Sequence, residues 1–209
     1  MGTAERKERE KQQRRNDIVN AAEKVFFSKG FEISTMDDVA EEVELSKGTL
    51  YLYFKSKEEL FYEIAKRGGE LLDKYFKKAI RRKKNGLEKV RAIGEAFIKF
   101  FKEHNEYHEA MLYGHTKRED GMDDECKDCE KKKGSDVFVN TIIEGIKDGS
   151  IKKNIDPAIT AFLLWGHTMG VLQLIASKGP MIEKKTGIKS DKLLKHSLDF
   201  HYNAMDASK

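Results

Sequence analysis

Residues 34–57 constrain the fold more tightly than any other stretch. They read Ser-Thr-Met-Asp-Asp-Val-Ala-Glu-Glu-Val-Glu-Leu-Ser-Lys-Gly-Thr-Leu-Tyr-Leu-Tyr-Phe-Lys-Ser-Lys. Thr35, with Asp38 three residues on, forms a capping-box pattern, and Val39, Ala40 and Val43 then give a short helix one apolar side. Leu45 re-enters the core at a turn, and the Ser46 hydroxyl is placed to cap a second short helix over about 47–53. Leu50 and Phe54 would face inward. Gly48, Thr49, Tyr51 and Leu52 would face outward, flanked by Lys47. A short helix with a cationic, hydroxylic and aromatic outer face suits a DNA major groove.

Composition agrees with a helical chain. Of 209 residues 36% are charged and only two are Pro, which favours an all-α protein over a sheet protein. The 39% of hydrophobic residues is enough to bury a core, so global disorder is excluded. A net charge of +4 does not by itself indicate nucleic acid, and residues 1–57 carry eleven cations against eleven carboxylates. Distribution matters more than the total. Arg6, Lys7, Arg9, Lys11, Arg14 and Arg15 lie in the leading arm, and Lys47, Lys55 and Lys57 lie at or after the second short helix. The acids Asp37, Asp38, Glu41, Glu42 and Glu44 crowd the first.

In chain order, residues 1–15 read as a mobile or loosely helical basic arm, either solvated or in contact with DNA phosphates or a minor groove. Residues 16–66 read as a three-helix DNA-binding domain, and 67–209 as a helical effector-binding and dimerisation domain. The boundary falls inside a long helix opened by the Ser56–Glu59 capping box. Further helices follow from Leu87, around Ala110, through Val137–Ile146, from Asp156-Pro157 to Lys178-Gly179-Pro180, and over 190–204. That makes about nine helices and no convincing strand. The apolar stretch 158–176 contains His167, Thr168 and Gln173 and reads as a buried core helix, not a membrane span. The charged N-terminus carries no secretory h-region, so a cytoplasmic location is expected.

The chain resembles the tetracycline-repressor (TetR) family of transcriptional regulators. The resemblance rests on Gly30-Phe31, Thr35-Met36-Asp37-Asp38-Val39-Ala40, Ser46-Lys47-Gly48-Thr49-Leu50-Tyr51, Tyr53-Phe54 and Ser56-Lys57-Glu58-Glu59-Leu60. It is specific over roughly 16–66 and rests on helix count beyond. It implies a homodimeric, ligand-responsive repressor that binds a near-palindromic operator in double-stranded DNA. Residues matching Lys47, Gly48, Thr49 and Tyr51 then lie against base edges or nearby backbone, and those matching Thr35, Ser46, Tyr53 and Lys57 hold phosphates. Two positions depart from the pattern. Glu44 stands in the turn where Gly is usual, and Leu52 where a second aromatic is common.

By the same resemblance, Gly166-x-x-x-Gly170, Trp165 and the final helix form a dimerising four-helix bundle. Phe97, Phe101, His104, Met111, Trp165 and Met169 are the candidates for lining an effector pocket, and their aromatic character suggests a hydrophobic or aromatic effector. His104 and His108, one helical turn apart, are a conceivable metal pair but read as surface histidines. Cys126-x-x-Cys129 offers an alternative, a metal- or thiol-redox-responsive regulator. Its acidic surroundings oppose thiolate chemistry, and no second Cys pair completes a zinc site. No cofactor is expected. A helical enzyme or adaptor without DNA binding is the competing class, and no phosphate loop, nucleophile elbow or paired-carboxylate constellation supports an enzyme.

Overall fold

The computed structural model describes residues 2–116 and 134–209. Among them are nine helices: α1 Thr3–Lys29, α2 Met36–Glu42, α3 Lys47–Tyr51, α4 Lys57–Ile80, α5 Gly86–Glu103, α6 Asn105–Thr116, α7 Gly134–Asp148, α8 Pro157–Thr186 and α9 Ser190–Met205. The only extended pairing among the described residues is a single antiparallel bridge between Ile151 and Asp206. The protein is all-α. It divides into two compact units, and the division falls within α4, after Glu70. The first unit, the head, is the chain up to that point together with α6; the second, the body, takes the rest of α4, α5 and α7 to α9.

α1 begins at Thr3, so the leading arm is not a loose tail but the first turns of one 27-residue helix. Side-chain pairs one turn apart sustain it where no core does: Arg6 with Glu10 at 2.9 Å, Gln12 with Asn16, and Gln13 with Asp17. Ile18, Ala22, Val25 and Phe26 then turn into the head core, and Gly30 ends the helix at φ 89°. They meet Val39 and Ala40 of α2, Leu50 of α3, Phe54 in the link that follows it, Leu60 and Ile64 of α4, and Ala110 of α6. Phe54, Leu50, Leu60 and Ile64 are fully buried. Each such side chain contributes about 1.5–3 kcal/mol through removal from water.

The body brings backbones close together. A Cβ on Gly86 of α5 would lie 2.2 Å from the Gly145 Cα of α7, so these two helices touch through glycine. The Gly86 N–H donates to Asp148 at 2.8 Å and the Leu87 N–H to Ser150 Oγ at 3.1 Å, so side chains after α7 satisfy the open N-terminus of α5. Leu87, Val90, Ile142, Ile151, Leu164 and Met205 form the core.

α8 departs from its sequence reading in two ways. It starts as expected, with Asp156 capping the Ile159 N–H and Pro157 at the first position. However, it continues through Pro180 to a left-handed Gly187 at φ 72° instead of stopping at Gly179-Pro180. It is also not a buried core helix. Ala161, Leu164, Thr168 and Leu172 face inward, while Ile159, Phe162, Leu163, Leu174 and Met181 are exposed on the opposite side. Gly166 and Gly170 lie in the middle of that outer face, and a Cβ on either would meet nothing. By length and composition α8 is the one described helix that could cross a membrane, yet only 22% of its apolar window is buried within the chain. Periodicity cannot separate two apolar faces of one helix, which is why burial was overestimated.

Candidate functional site

The turn and its two short helices assemble as their local chemistry dictates. Thr35 caps α2 with both halves of the capping box present: its hydroxyl oxygen accepts from the Asp38 N–H at 3.2 Å, and Asp38 accepts from the Thr35 N–H at 2.8 Å. Ser46 caps α3 by accepting from the Thr49 N–H at 3.2 Å, and the Ser46 and Thr49 hydroxyls share a hydrogen bond at 2.8 Å. Between the helices Glu44 adopts φ 55°, the left-handed conformation that the turn requires. In a non-glycine residue this costs roughly 1–2 kcal/mol. The Leu45 N–H is meanwhile tied to the Ala40 carbonyl at 2.9 Å, which holds the turn closed.

Leu50 and Phe54 anchor α3 from below. Lys47, Gly48, Tyr51 and Leu52 stand outward, with Leu52 84% exposed and Tyr51 43% exposed, and Thr49 lies at the edge. A Cβ on Gly48 would meet nothing within 4 Å among the described residues. The helix is shorter than its sequence reading, ending at Tyr51, and a turn carries Leu52 and Tyr53.

The acids of α2 are largely paired within the head. Asp37 holds Lys47 at 2.8 Å, Asp38 holds Lys29 at 2.6 Å, and Glu42 holds Lys24 at 3.1 Å. Hydrogen bonds from Lys29 and Thr35 hold the Asp38 carboxyl down at about 2, and the bond to Asp37 raises the Lys47 ammonium. The Lys47–Asp37 pair is exposed and so exchanges readily for a new partner.

Lys57 is the site residue whose placement differs most from expectation. Its ammonium turns inward and donates to the carbonyls of Phe31, Glu32 and Ser34 at 3.1, 3.1 and 3.2 Å, and it sits 4.6 Å from the centre of the Phe31 ring. All three donors are used, so Lys57 fastens the 31–34 segment and is not aimed at a phosphate. Arg15, which sequence reasoning left in the arm, has a comparable role. It donates to the Tyr53 carbonyl at 3.2 Å, pairs with Glu63 at 3.0 Å and lies 4.2 Å over the Phe54 ring, fixing the exit of α3. Tyr53 itself packs against the head core. No local pattern announces either cation, because both depend on carbonyls brought together by the fold.

The expected pocket residues fall in both units. Phe97 is buried, Phe101 and Met169 are half-buried, and Trp165 is 44% exposed. His104 and Met111 belong to the head, where both are half-buried, and His108 is buried, not at the surface. Burial lowers the pKa of His108. None of the six expected residues lines the cavity of ≈30 Å³ that lies among α5, α7, α8 and α9. Its walls include Arg91, Gly94, Phe138, Thr168, Leu198 and His201. A Cβ on Gly94 would come 2.6 Å from Leu198 Cδ2, and Arg91 is held by Asp199 at 2.7 Å and Glu95 at 3.2 Å. Such a cavity admits water but is far smaller than the ~300–1,000 Å³ of ligand pockets. Cys126 and Cys129 lie outside the described residues.

His201 gives the body a pH response. Burial, with the His167 ring 4.2 Å away, pushes its imidazole down to about 4. An unfolded histidine protonates near 6.5, so between about pH 6.5 and 4 the unfolded chain takes up a proton that the folded body resists. Stability therefore falls as the pH drops through that window. Thermal unfolding followed by the fluorescence of Trp165, the single tryptophan, should show a lower midpoint at pH 5 than at pH 7. The decrease should shrink in His201→Gln; an equal decrease in both proteins would rule His201 out. The carboxylates in the body with lowered pKa, Asp148, Asp191 and Asp206, act below this window.

Comparison with known proteins locates the same unit. The family model described as "Bacterial regulatory proteins, tetR family" matches residues 18–64. Over 58 residues the chain is 50% identical to the uncharacterized HTH-type transcriptional regulator YfiR of Bacillus subtilis, covering 28% of each chain, so the match spans under a third of that relative. Over 178 residues it is 22% identical to the HTH-type transcriptional repressor KstR2 of Mycolicibacterium smegmatis, covering 83% of this chain and 85% of that protein. A solved TetR/AcrR-family transcriptional regulator from Thermobifida fusca superposes with a TM-score of 0.69 over 91% of this chain and 97% of that one, at 18% identity, a likeness of fold.

Proposed function

We propose that the chain, whose residues 18–64 match the model of the tetR family of bacterial regulatory proteins, is a sequence-specific DNA-binding transcriptional regulator, a ligand-responsive repressor that acts as a homodimer. The observation that carries this reading is the construction of α3: its inner side is locked by Leu50 and Phe54 while Lys47, Gly48, Tyr51 and Leu52, with Thr49 at the edge, form an exposed outer face. Lys47 exchanges Asp37 for guanine acceptors or a phosphate, and Thr49 and Tyr51 meet base edges or backbone. The bareness of Gly48, which nothing in this chain requires, lets the duplex approach closely. Thr35 and Ser46 set the two helix N-termini, where backbone N–H groups favour phosphate.

The second copy is supported by the outer face of α8. A helix with two apolar faces seeks a partner on each, and the described residues supply only one. A two-fold pairing of α8 and α9 covers Ile159, Phe162, Leu163 and Leu174 and uses Gly166 and Gly170 for close approach. We favour this over insertion in a membrane, because Leu164, Thr168 and Leu172 are already committed to the body and His167 and Gln173 flank the outer face. The protein then acts in the cytoplasm.

The effector is a small molecule of hydrophobic or aromatic character, held in the body. The cavity beside Gly94 and Leu198 must widen to admit it, so the effector binds preferentially to a widened state and through it disfavours the operator-bound arrangement. Selection of bound duplexes from a random pool tests the reading: a shared sequence among the survivors supports it, and no enrichment overturns it.

A further inference from the structure

The exposed first half of α1 carries a row of cations that the head does not use. Lys7, Lys11 and Arg14 fall at i, i+4 and i+7, on one side of the helix. The same row continues as Ile18, Ala22 and Val25, which are buried against the head. The three cations therefore stand on the prolongation of the core-facing side, beyond the point where the core ends. Arg15, beside Arg14, marks that point, since it reaches the Tyr53 carbonyl at the exit of α3. Lys11 lies one turn further out and Lys7 two turns, about 12 Å at ~1.5 Å per residue.

Charge partnering sets this row apart. Lys7, Lys11 and Arg14 are exposed and have no hydrogen bond or ion pair among the described residues. Elsewhere on the helix Arg6 is taken by Glu10 and Arg15 by Glu63. The carboxylates Glu5, Glu8, Glu10 and Asp17 lie off the row, and only Arg14, at its inner end, borders a groove that holds acids, Asp17, Glu42 and Glu44. A sustained helix, not a loose tail, holds the cations in this alignment, which lowers the entropy lost when they are immobilised.

We propose that the first half of α1 is a clamp on the DNA backbone outside the groove read by α3, with Lys7, Lys11 and Arg14 each neutralising a phosphate. This rests on the DNA-binding reading above. The contacts carry no base information, so they add affinity and salt dependence without changing which sequence is preferred.

The test is the triple variant Lys7→Ala, Lys11→Ala, Arg14→Ala, in which alanine preserves the helix. Its affinity is measured against salt for a selected duplex and for a scrambled one. The slope of log K against log[salt] should become shallower by ~0.9 for each lost phosphate, about 2.7 per protomer. Both duplexes should weaken by similar factors, leaving their ratio unchanged. Trimming the flanks of the selected duplex should weaken the wild type and leave the variant indifferent. An unchanged slope and affinity in the triple variant, while Lys47→Ala still loses the selected duplex, overturns the clamp and leaves the function standing. A wild type that binds no duplex overturns both.

Discussion

Lys47→Ala and Tyr51→Ala should each abolish preference for the operator while leaving the head folded. Neither side chain contributes to the head core, which closes over Leu50 and Phe54. On the proposed reading, the contacts removed are those to base edges or the adjacent backbone. Such a contact is worth about 1–3 kcal/mol, at least about fivefold per half-site, and both half-sites of a dimer lose it, so specific affinity should fall by at least about thirtyfold. Binding to a scrambled duplex should change much less for Tyr51→Ala, because a neutral phenol adds little to counterion release. Fluorescence anisotropy with both duplexes, alongside circular dichroism for the fold, separates these effects. Operator preference retained by both variants would remove α3 from the reading role.

Phe162→Glu with Leu163→Glu gives the second large effect. Both side chains are 67% exposed on the outer face of α8, so neither substitution opens a hole in the body. Two carboxylates per protomer would, however, be buried against two more across a two-fold interface, which is strongly unfavourable without partners. The variant should sediment as a monomer with its helical content intact. A monomer must hold each half-site independently, and the loss of effective concentration should weaken operator binding by about 10²–10⁴-fold. A variant that remained dimeric would place the interface elsewhere.

What the sequence made legible was what depends on neighbours in the chain. The Thr35–Asp38 box, the Ser46 cap, the glycine stop at Gly30 and the inward Leu50 and Phe54 are all local patterns, and all are present in the fold. The strain at Glu44 was legible too, since a turn of this kind needs a left-handed residue whichever side chain stands there. Interactions assembled from distant segments were not. Lys57 faces inward because three carbonyls from 31–34 converge on it, and Arg15 leaves the arm because Phe54, Tyr53 and Glu63 meet around it. The small body cavity was hidden for a related reason. Large aromatics such as Phe97 fill cores, whereas the small body cavity is bounded by Gly94, Thr168 and His201, which no aromatic pattern signals. The outer face of α8 was hidden by hydropathy itself, which records that a surface seeks cover but not what supplies it.

The arrangement of α2 and α3 also resolves an electrostatic difficulty. An acidic α2 beside a reading helix would repel phosphate, but Lys24, Lys29 and Lys47 neutralise three of its carboxylates inside the head. Lys47 is the one of the three that also stands on the outer face of α3, where the exposed pair with Asp37 holds it.

Sequencing the duplexes retained from a random pool tests the central claim most directly. Two copies of α3 related by a two-fold axis predict a near-palindrome whose half-sites lie about one helical turn apart, ~10–10.5 base pairs centre to centre. Enrichment of a single, non-repeated half-site would contradict the dimer, and a pool that emerges as random as it entered would contradict sequence-specific recognition altogether.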